Sequence, residues 1–193
     1  MAGPARYTAL LDACVLFPPV LADALMSLHV AGLFTARWTA RIDDEWINAA
    51  SRERPDLEDA LARRCAAMHE AVPDWEVPAE AYQALLPGLA LPDANDVHVL
   101  AAAIAGHADC IVTANLKHFP ADVLQRHGLE SIHPDDFLIY QLDLEPYVAL
   151  AAFKEMRARR KAPPLGPEEF VERVERSGLF NTAQRLREAL ALI

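Results

Sequence analysis

Residues 91–120 read LPDANDVHVLAAAIAGHADCIVTANLKHFP, and the reading of the fold starts from this stretch. Asp93 and Asp96 stand just before an Ala-rich run of helical character, which closes at Gly106. An apolar β-type segment, 109–113, follows and gives way to the polar residues Asn115 and His118. A helix, a strand and polar residues at the strand's carboxyl end make half of a parallel α/β unit. Ligands of such sheets bind outside the carboxyl ends of the strands. The other side of a site is therefore sought at a second strand end. Residues 7–11 supply it: a near-continuous apolar run, as in a central parallel strand covered on both faces, that leads straight into Asp12.

The remaining chain alternates in the same way. The spacing predicts a helix over 20–30 ended by Gly32, a short strand over 33–38 and a helix over 39–50 that carries Glu45. A further helix over 56–71 is expected, with Asp56 as its cap. A short helical segment spans 79–86, and Pro87-Gly88 ends it before a short edge strand over 89–91. The Ala-rich helix spans 96–105 and the next central strand 110–113. A short helix over 120–127, an edge strand over 129–132 and a helix over 134–140 complete this part. Beyond residue 142 the pattern is helical only, with predicted helices over 144–160, 168–176 and 182–190. The expected organisation is an α/β domain over 1–141 and an α-helical C-terminal extension over 142–193.

Bulk composition narrows the classes. At 193 residues the chain is long enough to bury a core without metals or disulfides. Cys14, Cys65 and Cys110 are scattered through apolar segments without CxxC spacing, and read as thiols in a reducing compartment. Neither a secretory signal nor a membrane span is read, so a cytoplasmic location is expected. The formal charge of −10 argues against nucleic-acid binding through bulk charge. It does not exclude a nuclease, because carboxylates that hold metal ions also contribute negative charge. Arg63-Arg64 and the cluster Arg157-Ala-Arg159-Arg160-Lys161 are local basic stretches. The turn after the first strand, Asp12-Ala-Cys-Val-Leu-Phe-Pro, holds no glycine for a pyrophosphate, which argues against a dinucleotide fold.

Asp12, Glu45 and Asp96 stand out by context. Carboxylates gathered at adjacent strand ends repel, and a hard divalent cation such as Mg²⁺ relieves the repulsion. Asn115 could add a neutral oxygen, and His118 could contact a phosphate. Each residue also has a plainer account. Helix N-termini favour acids for their own sake, which would explain Asp96 as a cap. Glu45 alone reads as a solvated helix residue, His98 as structural within an apolar helix, and His107 as a C-cap residue. Asp12 resists such an account, because an acid directly after a central strand faces a crevice.

LDACVLFP at 11–18, DEW at 44–46 and the stretch 92–120 together resemble the PIN-domain family, in particular the VapC-type ribonucleases of bacterial toxin–antitoxin operons. The resemblance covers roughly residues 5–140. It implies a three-layer α/β/α sandwich around a parallel sheet, Mg²⁺ or Mn²⁺ on an acidic cluster, and RNA as substrate. Carried over by position, it implies Asp12, Glu45 and Asp96 as catalytic metal-binding residues, Asp93 as an extra acid, and Asn115 in the place of a fourth polar or acidic residue. His118 stands where many members have another Asp. Lys117 and His118 are expected substrate contacts. A cognate antitoxin and a homodimer are expected partners, and the helices beyond residue 142 resemble the extension of a longer subgroup. Asn115 and His118, in place of acids, leave fewer negative ligands for a second metal. Two other readings stand beside a metal-dependent endoribonuclease: a non-catalytic PIN-like protein that binds a protein partner, and a metal-dependent phosphatase.

Overall fold

A computed structural model describes residues 7–193. The elements run β1 (Thr8–Leu11), α1 (Ala13–Leu16), α2 (Pro19–Val30), β2 (Thr35–Arg37), α3 (Ala40–Glu53), α4 (Glu58–Ala71), α5 (Ala79–Tyr82) and α6 (Val97–Ala105). They continue with β3 (Cys110–Val112), α7 (Ala121–Leu124), β4 (Glu130–Ile132), α8 (Pro134–Leu144), α9 (Pro146–Ala158), α10 (Pro167–Arg176) and α11 (Phe180–Glu188). The strands form one parallel sheet in the order β2-β1-β3-β4. This parallel sheet, with helices in the crossovers, is the architecture of a PIN-like α/β/α fold with C-terminal helices. The chain divides into two compact units: residues up to Phe17 together with Phe34–His133, and Pro18–Leu33 together with Pro134–Ile193.

The first unit contains the sheet. Its central strands are the two apolar runs, with Ala9, Leu10, Leu11, Cys110, Ile111 and Val112 fully buried. Continuous apolar sequence is what a parallel strand covered on both faces requires. The register pairs Ala9 with Cys110, Leu10 with Ile111 and Leu11 with Val112. Each central strand hands over to a polar residue one position later, so Asp12 and Thr113 emerge side by side. The edge strand β2 alternates in burial, with Ala36 buried between half-buried Thr35 and Arg37, while β4 runs from exposed Glu130 to buried Ile132.

Helix α6 keeps His98 through Ala103 buried. It ends at Gly106, though not because of a left-handed backbone there. A Cβ on Gly106 would lie 2.8 Å from Val77 Cγ2 and 3.0 Å from the Ala102 carbonyl oxygen. The left-handed position belongs to His107, at φ 50°.

Three local expectations are corrected. Residues 89–91 form no strand; the 3₁₀ turn Gln83–Gly88 runs into extended but unpaired backbone. Asp56 does not cap a helix; it lies in the 3₁₀ turn Pro55–Leu57 and accepts both hydrogen bonds of the Arg54 guanidinium, at 2.9 and 2.7 Å. Asp96 closes another 3₁₀ turn, Ala94–Asp96, and makes no side-chain cap.

The second unit is helical. Helix α2 packs on α9, α8 on α9 and α11, and α10 on α11. Phe153 meets Phe170 edge to face at 6.5 Å. The buried Asp135 of α8 caps α11 from a distance, accepting from the backbone N–H groups of Asn181 (2.8 Å) and Thr182 (2.9 Å). Arg159 pairs with Asp23 at 2.5 Å and donates to Ser27 Oγ, while Arg157 donates to the Leu165 carbonyl. The basic cluster over 157–161 is thus partly engaged inside this unit. Among the described residues, no helix is long and apolar enough to cross a membrane.

Candidate functional site

An open cleft of about 420 Å³ in the first unit is lined by Asp12, Glu45, Asp96 and Asn115, with Cys14, Phe17 and Trp46 among its other walls. Four sequence-predicted residues from separate elements therefore meet in one place. Asp12 follows β1, Glu45 sits on α3, Asp96 precedes α6 and Asn115 follows β3. Asp93 and His118 stand beside Asp96, and the cleft's lining includes neither of them nor Lys117. His118 Nδ1 lies 2.7 Å from Asp96 Oδ2 and 3.9 Å from Asp93 Oδ2. Lys117 is exposed on the 3₁₀ turn Leu116–His118.

Local structure shows what each acid is not used for. Helix α3 is capped by Thr39, whose Oγ1 accepts from the Ile42 N–H at 3.1 Å, so Glu45 has no capping duty. The turn before α6 is capped by Asp93, whose Oδ1 accepts from the Asn95 N–H at 2.9 Å. Asp96 is thereby relieved of the role that a plain helix-terminus account assigned to it. Asp12 is 6% exposed, and its Oδ2 accepts from Thr113 Oγ1 at 2.6 Å and from Cys14 Sγ at 3.1 Å. The Asn115 N–H donates to the same Thr113 hydroxyl at 3.0 Å, which ties Asn115 to the floor under Asp12.

The electrostatics are uneven. Burial pushes the Asp96 carboxyl above its ordinary value, the charges of Asp12 and Asp93 add to this, and the hydrogen bond from His118 only partly opposes it. Glu45 goes the other way. Burial would raise it, but the hydrogen bonds and charges of His98 and Arg41 together outweigh burial and hold it low. The Arg41–Glu45 contact, at 3.1 Å with both side chains well exposed, adds only about 0.3–0.5 kcal/mol of stability and acts chiefly by orienting. Burial and the Asp12 charge push the Cys14 thiol up to about 12, in keeping with a neutral thiol that donates to Asp12.

The donor set is one of hard oxygens: three carboxylates and the Asn115 amide. Its carboxylates repel one another: the Asp12 and Asp93 charges add to the rise that burial gives the Asp96 carboxyl. Both features fit a hard divalent cation such as Mg²⁺ or Mn²⁺. Asp93, Asp96 and His118 also bring donor atoms within 4.8 Å of one another.

Sequence reasoning missed Thr113 and Asp43 and gave His98 no part in the site. His98 carried a signal, being a polar residue on an otherwise apolar helix. Asp43 is 5% exposed and belongs to a second cluster with Cys65 and His69. Its Oδ1 accepts from Trp46 Nε1 at 2.8 Å, and its Oδ2 from Trp38 Nε1 at 3.1 Å and His69 Nε2 at 2.8 Å. His69 stacks on Trp75 at 4.0 Å. Both Asp43 oxygens are satisfied by protein donors, so this cluster staples α3 and α4. Arg64 on α4 adds to that staple, donating to the Leu16 and Phe17 carbonyls with its guanidinium 4.7 Å from the Trp46 ring centroid.

Two family models match the chain. Residues 8–117 match the PIN domain family model, and residues 134–188 match the VapC50 C-terminal domain model. Over 78 residues the chain is 44% identical to "Putative ribonuclease VapC50" of Mycobacterium tuberculosis (strain ATCC 25618 / H37Rv). The matched stretch covers 40% of this chain and 46% of that relative, so it spans about half of the relative's length. No solved structure gives a significant match.

Proposed function

Because the chain belongs to the PIN-domain family, we propose that it is a metal-dependent endoribonuclease, the toxin of a type II toxin–antitoxin pair. The observation that carries the proposal is the convergence of Asp12, Glu45, Asp96 and Asn115 on one cleft at the carboxyl end of the sheet. On this reading Asp12, Glu45 and Asp96, with Asp93 beside them, hold Mg²⁺ or Mn²⁺. Such a cation supplies positive charge to a phosphoryl oxygen and lowers the pKa of a bound water.

The chain's own groups do the rest. Thr113 and Cys14 hold Asp12 through Oδ2, which leaves Oδ1 without a hydrogen bond among the described residues. The Asn115 side chain, anchored by its backbone N–H on Thr113, offers an amide to the scissile phosphate or the attacking water. His118 holds Asp96. Lys117, exposed on the neighbouring turn, neutralises a flanking phosphate and so contributes position rather than sequence choice.

RNA as substrate is supported by the name of the mycobacterial relative and by the family resemblance. A cognate antitoxin, a homodimer and a cytoplasmic location are carried from the resemblance. On this reading residues 1–141 carry the chemistry and residues 142–193 serve binding. Leu144, Tyr147 and Phe180 are exposed in this C-terminal part, which supports a protein partner there.

The test is cleavage of a mixed RNA panel by the purified chain with Mg²⁺, Mn²⁺ or EDTA, with the Asp12→Asn protein in parallel. Metal-dependent cleavage that the folded variant lacks is expected. Turnover of small phosphate esters without RNA cleavage would make the protein a phosphatase. No cleavage and no Mn²⁺ binding by a folded, partner-free chain would make it a binding protein.

A further inference from the structure

His98 lies on α6 with its side chain 1% exposed, and its Nε2 is 3.0 Å from Glu45 Oε1. A carboxylate oxygen can only accept, so Nε2 carries the proton and donates. The other ring nitrogen, Nδ1, is buried and has no hydrogen-bond partner among the described residues. Packing alone does not account for an imidazole here. An apolar side chain of similar volume would fill the space without stranding a nitrogen.

The contact also selects one oxygen. Arg41 Nε donates to the same Glu45 Oε1, at 3.1 Å. Both donors thus bind one side of the carboxylate, and Oε2 is left without a hydrogen bond among the described residues. Two donors on one oxygen, from α3 itself and from α6, fix both the torsion and the reach of this side chain. His98 is also two positions from Asp96, so one helix terminus holds one cleft carboxylate directly and steers another.

We propose that His98 is a positioning residue that locks the Glu45 carboxylate through Oε1 and leaves Oε2 available to a divalent cation in the cleft. The inference rests on the proposed metal-dependent reading. It adds a residue that touches neither substrate nor metal, and it assigns the two Glu45 oxygens separate duties. Partners of this kind typically change metal affinity by about 10–100-fold when removed.

The experiment compares the full chain with His98→Leu and His98→Gln by Mn²⁺ calorimetry, thermal melting and RNA cleavage over a range of Mn²⁺ concentrations. His98→Leu is expected to stay folded, to bind Mn²⁺ about tenfold more weakly, and to recover cleavage when Mn²⁺ is raised. His98→Gln keeps an N–H donor within reach of Oε1 and is expected to restore most of the affinity. Wild-type affinity in His98→Leu overturns the proposal, as does a His98→Gln no better than His98→Leu. Unfolding of both variants would make His98 structural and overturn it too. If the wild-type chain binds no Mn²⁺, the metal reading itself falls; when the wild type does bind Mn²⁺, any of these three outcomes overturns the His98 proposal alone.

Discussion

Thr113 Oγ1 donates a 2.6 Å hydrogen bond to Asp12 Oδ2 across 101 residues of sequence. It is the contact that turns two adjacent strand ends into one site. Both residues follow buried central strands, and the parallel register places them side by side. Thr113 is fully buried, so its hydroxyl meets Asp12 away from solvent.

Thr113→Val keeps the shape and removes the donor. It also removes the acceptor for the Asn115 N–H. The variant should lose about 2 kcal/mol of stability, the worth of a hydrogen bond to a charged group. Cleavage should fall by about tenfold, as expected for the loss of a residue that orients a metal-binding carboxylate. Urea denaturation and RNA cleavage, measured on the same preparation, check both.

Asp96 predicts a pH-dependent metal effect. Its carboxyl is raised in the folded protein, mainly by burial and then by Asp12 and Asp93. A raised carboxyl means that the ionised folded form is penalised. The penalty is complete above the folded value and absent below the unfolded one. Added Mg²⁺ relieves it, so the rise in melting temperature over EDTA should be largest at neutral pH. The rise should shrink as pH falls through the raised Asp96 value toward about pH 4. Asp96→Asn should raise the melting temperature in EDTA and abolish most of the Mg²⁺ response.

Asp43 should behave as a structural residue. Asp43→Ala strands the buried indole N–H groups of Trp38 and Trp46 and removes the His69 contact. The cost should be about 3 kcal/mol. Activity should fall only in proportion to unfolding, and tryptophan fluorescence should report the loosened cluster. A folded Asp43→Ala protein with no activity would place Asp43 in the site instead.

Asp135 tests the helical unit in the same way. Its carboxylate accepts from the Asn181 and Thr182 backbone N–H groups and from Thr182 Oγ1 at 2.7 Å. Asp135→Ala should cost about 2–3 kcal/mol by uncapping α11. Asp135→Asn should cost less, since the amide oxygen still accepts. Hydrogen exchange over residues 180–188 would localise the loss.

Much of the candidate site was legible because its residues follow short-range rules. Asp12 announced itself as an acid ending an apolar run, and the helix-strand order of 96–113 placed Asp96 and Asn115 near a second strand end. Asp96 and Glu45 were individually ambiguous, since an acid at a helix start has a capping explanation and Glu45 alone reads as a solvated helix residue. The observed cap, Asp93, removes the first explanation, and the cleft lining brings Glu45 beside Asp12 and Asp96. The expected strand over 89–91 failed because a short apolar triplet carries no information about a neighbour with which to pair. Asp56 was misread as a cap because its ion pair with Arg54 competes locally for the same carboxylate.

The order of apolar runs and helical spacings, by itself, determined a parallel α/β sheet, its central strands and the polar residues that follow them, Asp12 and Asn115. These follow from periodicity and burial, which are properties of neighbouring residues in the chain. Tertiary structure alone decided that Thr113 holds Asp12, that His98 and Arg41 share one oxygen of Glu45, and that Asp43 is satisfied by two tryptophans. Hydrogen bonds depend on distances and angles within a few tenths of an ångström. Between residues far apart in sequence, those are set by strand register and helix packing rather than by the residues themselves.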